Sequence, residues 1–400
     1  MIDYKNATLE ELICQVRELA DSKENVEILQ RWQDAGTDVS VTDGASVWHG
    51  VPTRKVTNTS VIPFTVDPET VYYAKALNYQ LRDHYLNAED FLINTLKMKL
   101  IRYDLFHDDA YITKDVSLFM GVVLEPSQFG VPPLYQLDRD PWNEHQPVIH
   151  GPEDLAKYEE EFDFYNGGIM PRCHEFYNTI KGMLPDDFTV SFPLWGRGPW
   201  GVAQHLMGLD NLYIAAMDEP EFVDDLLKLI VRQQKIWLQK RADLIGIPLP
   251  VGAMYNDEVN GKMISPAIYE ELIFPREQEL ALYQNGLSYW HSCGDTGRLL
   301  PNIKKLHKLE MYDCSAWTNW ETVAKELQGV DMAIEVRMHP IRDVLLADEA
   351  HMREMLKRVR DVFGGMRVTV RADGFQVARN LEDDTKQIQK FSRIAAEMLR

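Results

Sequence analysis

From residue 116 to the end of the chain, short apolar runs alternate with amphipathic segments. The runs are "VSLFMGVVL", "FTVSFPLW", "ADLIGIPL", "LSYWHSC", "LEMYDCSA", "MAIEVRM" and "MRVTVRA". Helix-like stretches lie near 152–182, 200–217, 219–241, 266–285, 298–307, 320–328, 347–363 and 380–399. Strand-then-helix alternation sustained over about 280 residues predicts parallel strands joined by crossover helices. Seven or eight such units fit a (β/α)8 TIM barrel better than an open sheet. No Gly-x-Gly-x-x-Gly follows a strand, so a dinucleotide-binding fold has little support.

The first part of the chain reads differently. Residues 7–34 predict one or two helices, and 38–66 alternate and carry turn residues, as a β-hairpin does. A helical stretch over about 68–104 opens on "DPET". The expected organisation is an N-terminal helical and hairpin extension over 1–66 followed by a barrel over 67–400.

Composition narrows the partners. A formal net charge of −20 over 400 residues argues against nucleic acid, because phosphate binding needs a basic face. It also disfavours a highly anionic substrate, unless arginines are concentrated in one pocket. Residues 1–35 lack the apolar core of a signal peptide, and no 18-residue apolar run occurs, so no membrane association is expected. Cys14, Cys173, Cys293 and Cys314 are too scattered for a disulfide framework. These features predict a cytoplasmic protein with reduced thiols.

Barrel enzymes place their chemistry at the C-terminal ends of the strands. His291 and Cys293 stand two apart at one such end, and residues i and i+2 of a strand face the same side. An imidazole nitrogen and a thiolate there suit zinc. Zinc needs further ligands, and Glu258, Asp257, Cys314 and Asp373 are the candidates from other strand ends. The bland alternative makes His291 a helix cap and Cys293 a small packed hydrophobe. Asp257 and Glu258 end a strand together, where carboxylates orient a hydroxyl, bind metal, transfer a proton or form a solvated loop. Asp373-Gly374 reads either as a turn or as a ligand position. Trp195, Trp200, Tyr255, Trp290, Trp317 and Phe375 gather at or near strand ends, some as core, several as candidate walls for an aromatic ligand.

Three segments carry a family resemblance: "NGLSYWHSCGDTGRLLPNIKKL", "RGPWGVAQHLMGLDNLYIAAMDEPEFVDDLLKLI" and "ISPAIYEELIFPREQEL". They resemble the uroporphyrinogen decarboxylase superfamily over about residues 180–400. The resemblance implies a single (β/α)8 barrel. Its decarboxylase branch carries an N-terminal "RQAGR" motif that this chain lacks. Its other branch comprises zinc-dependent methyltransferases that work with corrinoid proteins and ligate zinc through a His-x-Cys pair. That branch implies bound Zn2+ at His291 and Cys293, with Glu258 or Asp373 completing the site, and Tyr255, Asn256 and Asp257 orienting substrate.

The sequence departs from the thiol-acting members, which place a third ligand cysteine at the end of the last strand, where Asp373 stands here. Carboxylate in place of thiolate leaves a harder, more electrophilic ion, which suits the poor oxygen leaving group of an ether. The resemblance therefore implies an O-demethylase component of the anaerobic type. It would move a methyl group from a small aromatic methyl ether to the Co(I) corrinoid carried by a partner protein. The alternatives are a corrinoid-to-thiol methyltransferase, a porphyrinogen decarboxylase drawing arginines from Arg54, Arg82, Arg102 or Arg197, and, given the altered third-ligand position, a barrel that has lost catalysis and serves as a binding or scaffold subunit. A homodimer is compatible with the sequence, which does not fix the oligomeric state.

Overall fold

The computed structural model describes residues 4–42, 48–51, 60–144 and 146–400. Eight strands run parallel in chain order: β1 (Phe64–Pro68), β2 (Asp115–Ser117), β3 (Thr189–Ser191), β4 (Gly252–Tyr255), β5 (Leu287–His291), β6 (Met311–Cys314), β7 (Ala333–Met338) and β8 (Val368–Phe375). Six form one curled sheet in the order β1-β8-β7-β6-β5-β4, and β2 pairs with β3. Beyond β3, Arg197 bridges in parallel to Tyr255 and so links the two pieces. Among the described residues no ladder joins β1 to β2, so hydrogen bonding does not close the ring that the alternation predicts.

Helices fill the crossovers as expected, with informative exceptions. The stretch 68–104 is three helices, Thr70–Leu77, Leu81–Leu86 and Ala88–Phe106. Asn78 ends the first in the left-handed conformation, with φ 60°. Asn87, extended, caps the third by accepting from the N–H groups of Glu89 and Asp90. Asparagine tolerates left-handed backbone and competes locally for backbone hydrogen bonds, so it breaks an otherwise helical pattern. The run "ADLIGIPL" is not a strand. Helix Pro220–Ile245 continues through its first half and stops at Gly246, φ 70°; the strand follows at Gly252. A short apolar run does not by itself distinguish strand from helix end.

Helices Leu9–Ala20 and Lys23–Asp34 start on Thr8, in a capping box with Glu11, and on Ser22. Strands Asp38–Thr42 and Trp48–Val51 pair antiparallel, as expected of a hairpin; residues 43–47 and 52–59 lie outside the described residues. The boundary expected at 66/67 falls inside β1, which pairs with β8 in the register Phe64↔Val370 through Asp67↔Asp373. Leu12 and Val16 of the first helix are buried in the same apolar cluster as Phe64 and Leu399.

The sheet has two unlike faces. Trp290, Tyr312, Ile334, Val336, Val370 and Ala372 join the large apolar cluster. Their alternates, Tyr289, Asp313, Glu335, Arg337, Arg371 and Asp373, meet one another on the opposite face. Strand periodicity of two turns one set of a strand's residues to the core and the other to this polar inner face.

Because Leu12 shares the sheet's core, Leu12→Ala is expected to destabilise the protein by about 2–5 kcal/mol, the range for large-to-small core substitutions. Urea unfolding followed by tryptophan fluorescence measures this. An unchanged midpoint would show that the N-terminal helix does not contribute to that core.

Candidate metal centre at the strand ends

Strands β4 and β5 pair with Tyr255 opposite His291, and the Asn256 N–H donates to the His291 carbonyl at 2.8 Å. The chain past each strand end then turns one side chain toward the other. His291 Nε2 lies 2.8 Å from Asp257 Oδ1. Cys293 Sγ lies 3.0 Å from the same oxygen and 3.5 Å from His291 Nε2. One nitrogen, one oxygen and one sulfur thus converge within 4.8 Å. The imidazole is walled in, with its side chain 9% exposed, whereas the Asp257 side chain is 38% exposed and opens the cluster to solvent.

Behind His291 the inner face supplies charge. Asp313, fully buried on β6, contacts His291 Nδ1. Arg337 on β7 lies 3.0 Å from the same nitrogen and 3.2 Å from Asp313 Oδ2. Burial works against a charged His291 and Arg337 repels it, but Asp313, Cys293 and Asp257 outweigh both and hold its pKa well above the usual imidazole range. Burial likewise pushes Asp257 up, yet His291, its hydrogen bond and Arg197 hold that carboxyl well below the usual range. The Cys293 thiol is raised by burial and by Asp257 against the pull of His291. The pocket favours positive charge at the point where the three donors meet.

The donor set fits zinc. Tetrahedral zinc holds N, O and S donors roughly 3.3–3.6 Å apart, given bonds of about 2.0–2.3 Å. The His291–Cys293 separation already matches at 3.5 Å. Asp257 sits closer than that to both, at 2.8 and 3.0 Å, with its carboxylate facing solvent. A carboxylate on the second imidazole nitrogen is the usual support of a histidine ligand.

The remaining strand-end residues surround the cluster rather than join it. Glu258 turns away from the cluster to pair with Arg197 and to meet His205 Nε2 at 3.3 Å. Asp373 is held by Arg337, whose Nε donates at 3.1 Å, and by Arg371 at 3.2 Å. Tyr255 places its ring 5.9 Å from the His291 ring and borders the cluster. Asn256 is fully buried on the helix side, donating from Nδ2 to Glu277 at 3.0 Å. Cys314 is buried in the core, and His339 caps the following turn by accepting from the N–H groups of Ile341 and Arg342. Of the strand-end aromatics, Trp195, Trp200, Trp290 and Phe375 are core; Trp317 is exposed, with its ring edge-on to His339.

Sequence reasoning missed Asp313, Arg337 and Glu277. A signal for Asp313 and Arg337 was present: "AIEVRM" and "VTVRAD" place charged residues two apart in apolar strands and "MYDC" places one, the mark of a polar inner face. A cleft of about 410 Å³ is lined by Ser127, Val131, Tyr135, Ile169 and Arg172 among others and includes none of the cluster. The three-donor cluster has the more specific chemistry.

No protein-family model matches the chain. A stretch of 170 residues is 27% identical to the methylated-thiol–coenzyme M methyltransferase of Methanosarcina mazei, covering 42% of this chain and 42% of that protein. The chain therefore matches about two fifths of the length of that relative. The fold is similar to the solved structure of a methyltransferase from Methanosarcina mazei, with a TM-score of 0.58 at 16% identity over 83% of this chain and 94% of that one. No helix among the described residues is long and apolar enough to cross a membrane.

Glu277 makes the region pH-dependent. Its carboxyl is pushed up to about 7 by burial, against hydrogen bonds from Tyr269, Trp290 and Asn256. The folded pKa exceeds the unfolded one, so the neutral acid is the form that stabilises the fold. That stability is fully present below about pH 4.5 and is lost as pH rises through about 7, a loss of about 3 kcal/mol for a shift of this size. Glu277→Gln cannot ionise. Denaturant melts of the two proteins from pH 5 to 9 are expected to show the wild type losing stability relative to the variant; parallel profiles would contradict this.

Proposed function

We propose that this protein is a zinc-dependent methyltransferase that passes a methyl group from a donor to the Co(I) corrinoid of a separate partner protein. The convergence of Asp257, His291 and Cys293 carries this reading. Methyl transfer is supported by the name of the Methanosarcina relative, and the corrinoid partner by the family resemblance of the sequence. Three protein donors with one side open to solvent is the arrangement of a catalytic rather than a structural zinc site.

In this reading Asp257, His291 and Cys293 hold the ion, and Asp257 takes the ligand role first assigned to Glu258 or Asp373. Asp313 fixes the imidazole through Nδ1, leaving Nε2 to face the cluster. Arg337 and Arg371 neutralise Asp373, and Arg197 neutralises Glu258. Bound zinc would act as a Lewis acid on the atom that the methyl group leaves.

A single thiolate in the set keeps the ion comparatively electrophilic, which favours an oxygen leaving group and hence a small aromatic methyl ether as donor. Tyr255 and Tyr289 are the aromatic rings beside His291, the latter stacked at 6.1 Å. A methylated thiol is the second reading, favoured by the name of the Methanosarcina relative. Porphyrinogen decarboxylation has less support. Arg197 and Arg102 are already paired with buried carboxylates, Arg82 stands beside Asp83, and Arg54 lies outside the described residues.

Elemental analysis is expected to find about one zinc per chain in the wild type, none in His291→Ala, and wild-type content in Glu258→Gln. Mixed with a reduced corrinoid protein and a guaiacol-type ether, the zinc-loaded enzyme is expected to release the phenol while the Co(I) spectrum converts to that of methyl-Co(III). Demethylation of a methyl thioether alone would select the thiol reading. No methyl transfer from either donor would remove both.

A further inference from the structure

Glu277 stands behind the cluster on the helix Phe274–Tyr283, fully buried. Its Oε1 accepts from Asn256 Nδ2 at 3.0 Å; its Oε2 accepts from Tyr269 Oη at 2.6 Å and Trp290 Nε1 at 3.0 Å. Asn256 immediately precedes Asp257, and Trp290 immediately precedes His291. One carboxyl group therefore grips the residue before each of two cluster donors, on two different strand ends. All four members of this set are buried, so water does not compete for the bonds.

The local backbone is built for this contact. Between Pro266–Ile268 and Phe274–Tyr283 the helix makes one wide turn, Tyr269–Ile273, in which the Phe274 N–H reaches back to the Tyr269 carbonyl. Two ordinary turns span about 7.2 residues, so a residue eight positions on would be out of phase. One wider turn adds about one residue and brings Tyr269 and Glu277 onto one face. Such single wide turns are frequent at functional sites. On the other side Gly198 leaves space for Asn256: a Cβ there would lie 1.8 Å from Asn256 Oδ1.

We infer that Glu277 is a positioning residue that sets the spacing of Asp257 and His291 by holding Asn256 and Trp290 together. The inference rests on the proposal that these donors bind a metal. Glu277 touches neither the donors nor the solvent-facing side, so it acts only through the two strand ends.

The test uses the full chain titrated with cobalt(II) alone, followed by visible absorption, and zinc affinity measured by chelator competition. Glu277→Leu leaves two strand-end donors without an acceptor and is expected to bind zinc about 10–100-fold more weakly, as for other outer supports of metal ligands. Its cobalt(II) spectrum is expected to shift as the donors move. Leu280→Ala, on the same helix and fully buried, controls for general destabilisation and is expected to keep both affinity and spectrum. Trp290→Phe removes one donor to Glu277 while keeping a ring, and is expected to weaken binding in the same direction; it decides the matter if Glu277→Leu does not fold. Wild-type affinity and spectrum in folded Glu277→Leu, or in Trp290→Phe, would overturn the inference alone. A wild-type protein that takes up no metal would instead overturn the proposed function, and the inference with it.

Discussion

The contact between Asp313 and the Nδ1 side of His291 is the interaction on which the site depends. A fully buried carboxylate is costly unless paired, and Asp313 is paired twice, with His291 and with Arg337. Arg337 in turn ties Asp373, and Arg371 continues the chain to Asp67 and Glu335. The inner face of the sheet is thus one connected set of charges spanning β1, β5, β6, β7 and β8. Its side chains have little freedom, because each charge is located by its neighbours. His291 sits at the solvent end of this set, with Nδ1 committed inward and Nε2 turned toward Asp257 and Cys293.

This arrangement also explains why acidic groups near one another play different parts. Asp257, Glu258 and Asp373 all stand at strand ends, but guanidinium groups claim Glu258 and Asp373. Asp257 remains beside the imidazole and the thiol with a face open to solvent. The arginine-paired carboxylates are neutralised; Asp257 is the one that faces the imidazole, the thiol and solvent. Behind the strands, Glu277 links the residues preceding Asp257 and His291, so the cluster is braced from both faces of the sheet.

Much of this was legible in the sequence, for definite reasons. Sheet strands follow the period-two runs closely from "LSYWHSC" onward, and His291 and Cys293 emerge together at a strand end. The curled parallel sheet follows from the strand-helix alternation, whereas closure does not: β2 and β3 are only three residues each, too short to declare their pairing in a pattern. Asparagine breaks at 78 and 87 were hidden by a helical composition around them. The choice among Asp257, Glu258 and Asp373 depends on which arginine reaches which carboxylate, and Arg197 and Arg337 stand 61 and 36 residues from the carboxylates they pair with. Glu277 was hidden for the same reason, since its partners at 256 and 290 belong to two other elements. Of the aromatics expected near strand ends, some as core, Trp195, Trp200 and Trp290 join the large apolar cluster.

The central claim is that one cation binds where Asp257, His291 and Cys293 meet. Anomalous diffraction from crystals grown with zinc, collected on either side of the zinc absorption edge, tests it most directly. The account predicts a single strong peak within bonding distance of Asp257 Oδ1, His291 Nε2 and Cys293 Sγ. An empty cluster in those crystals, or a peak ligated by other residues, would contradict it.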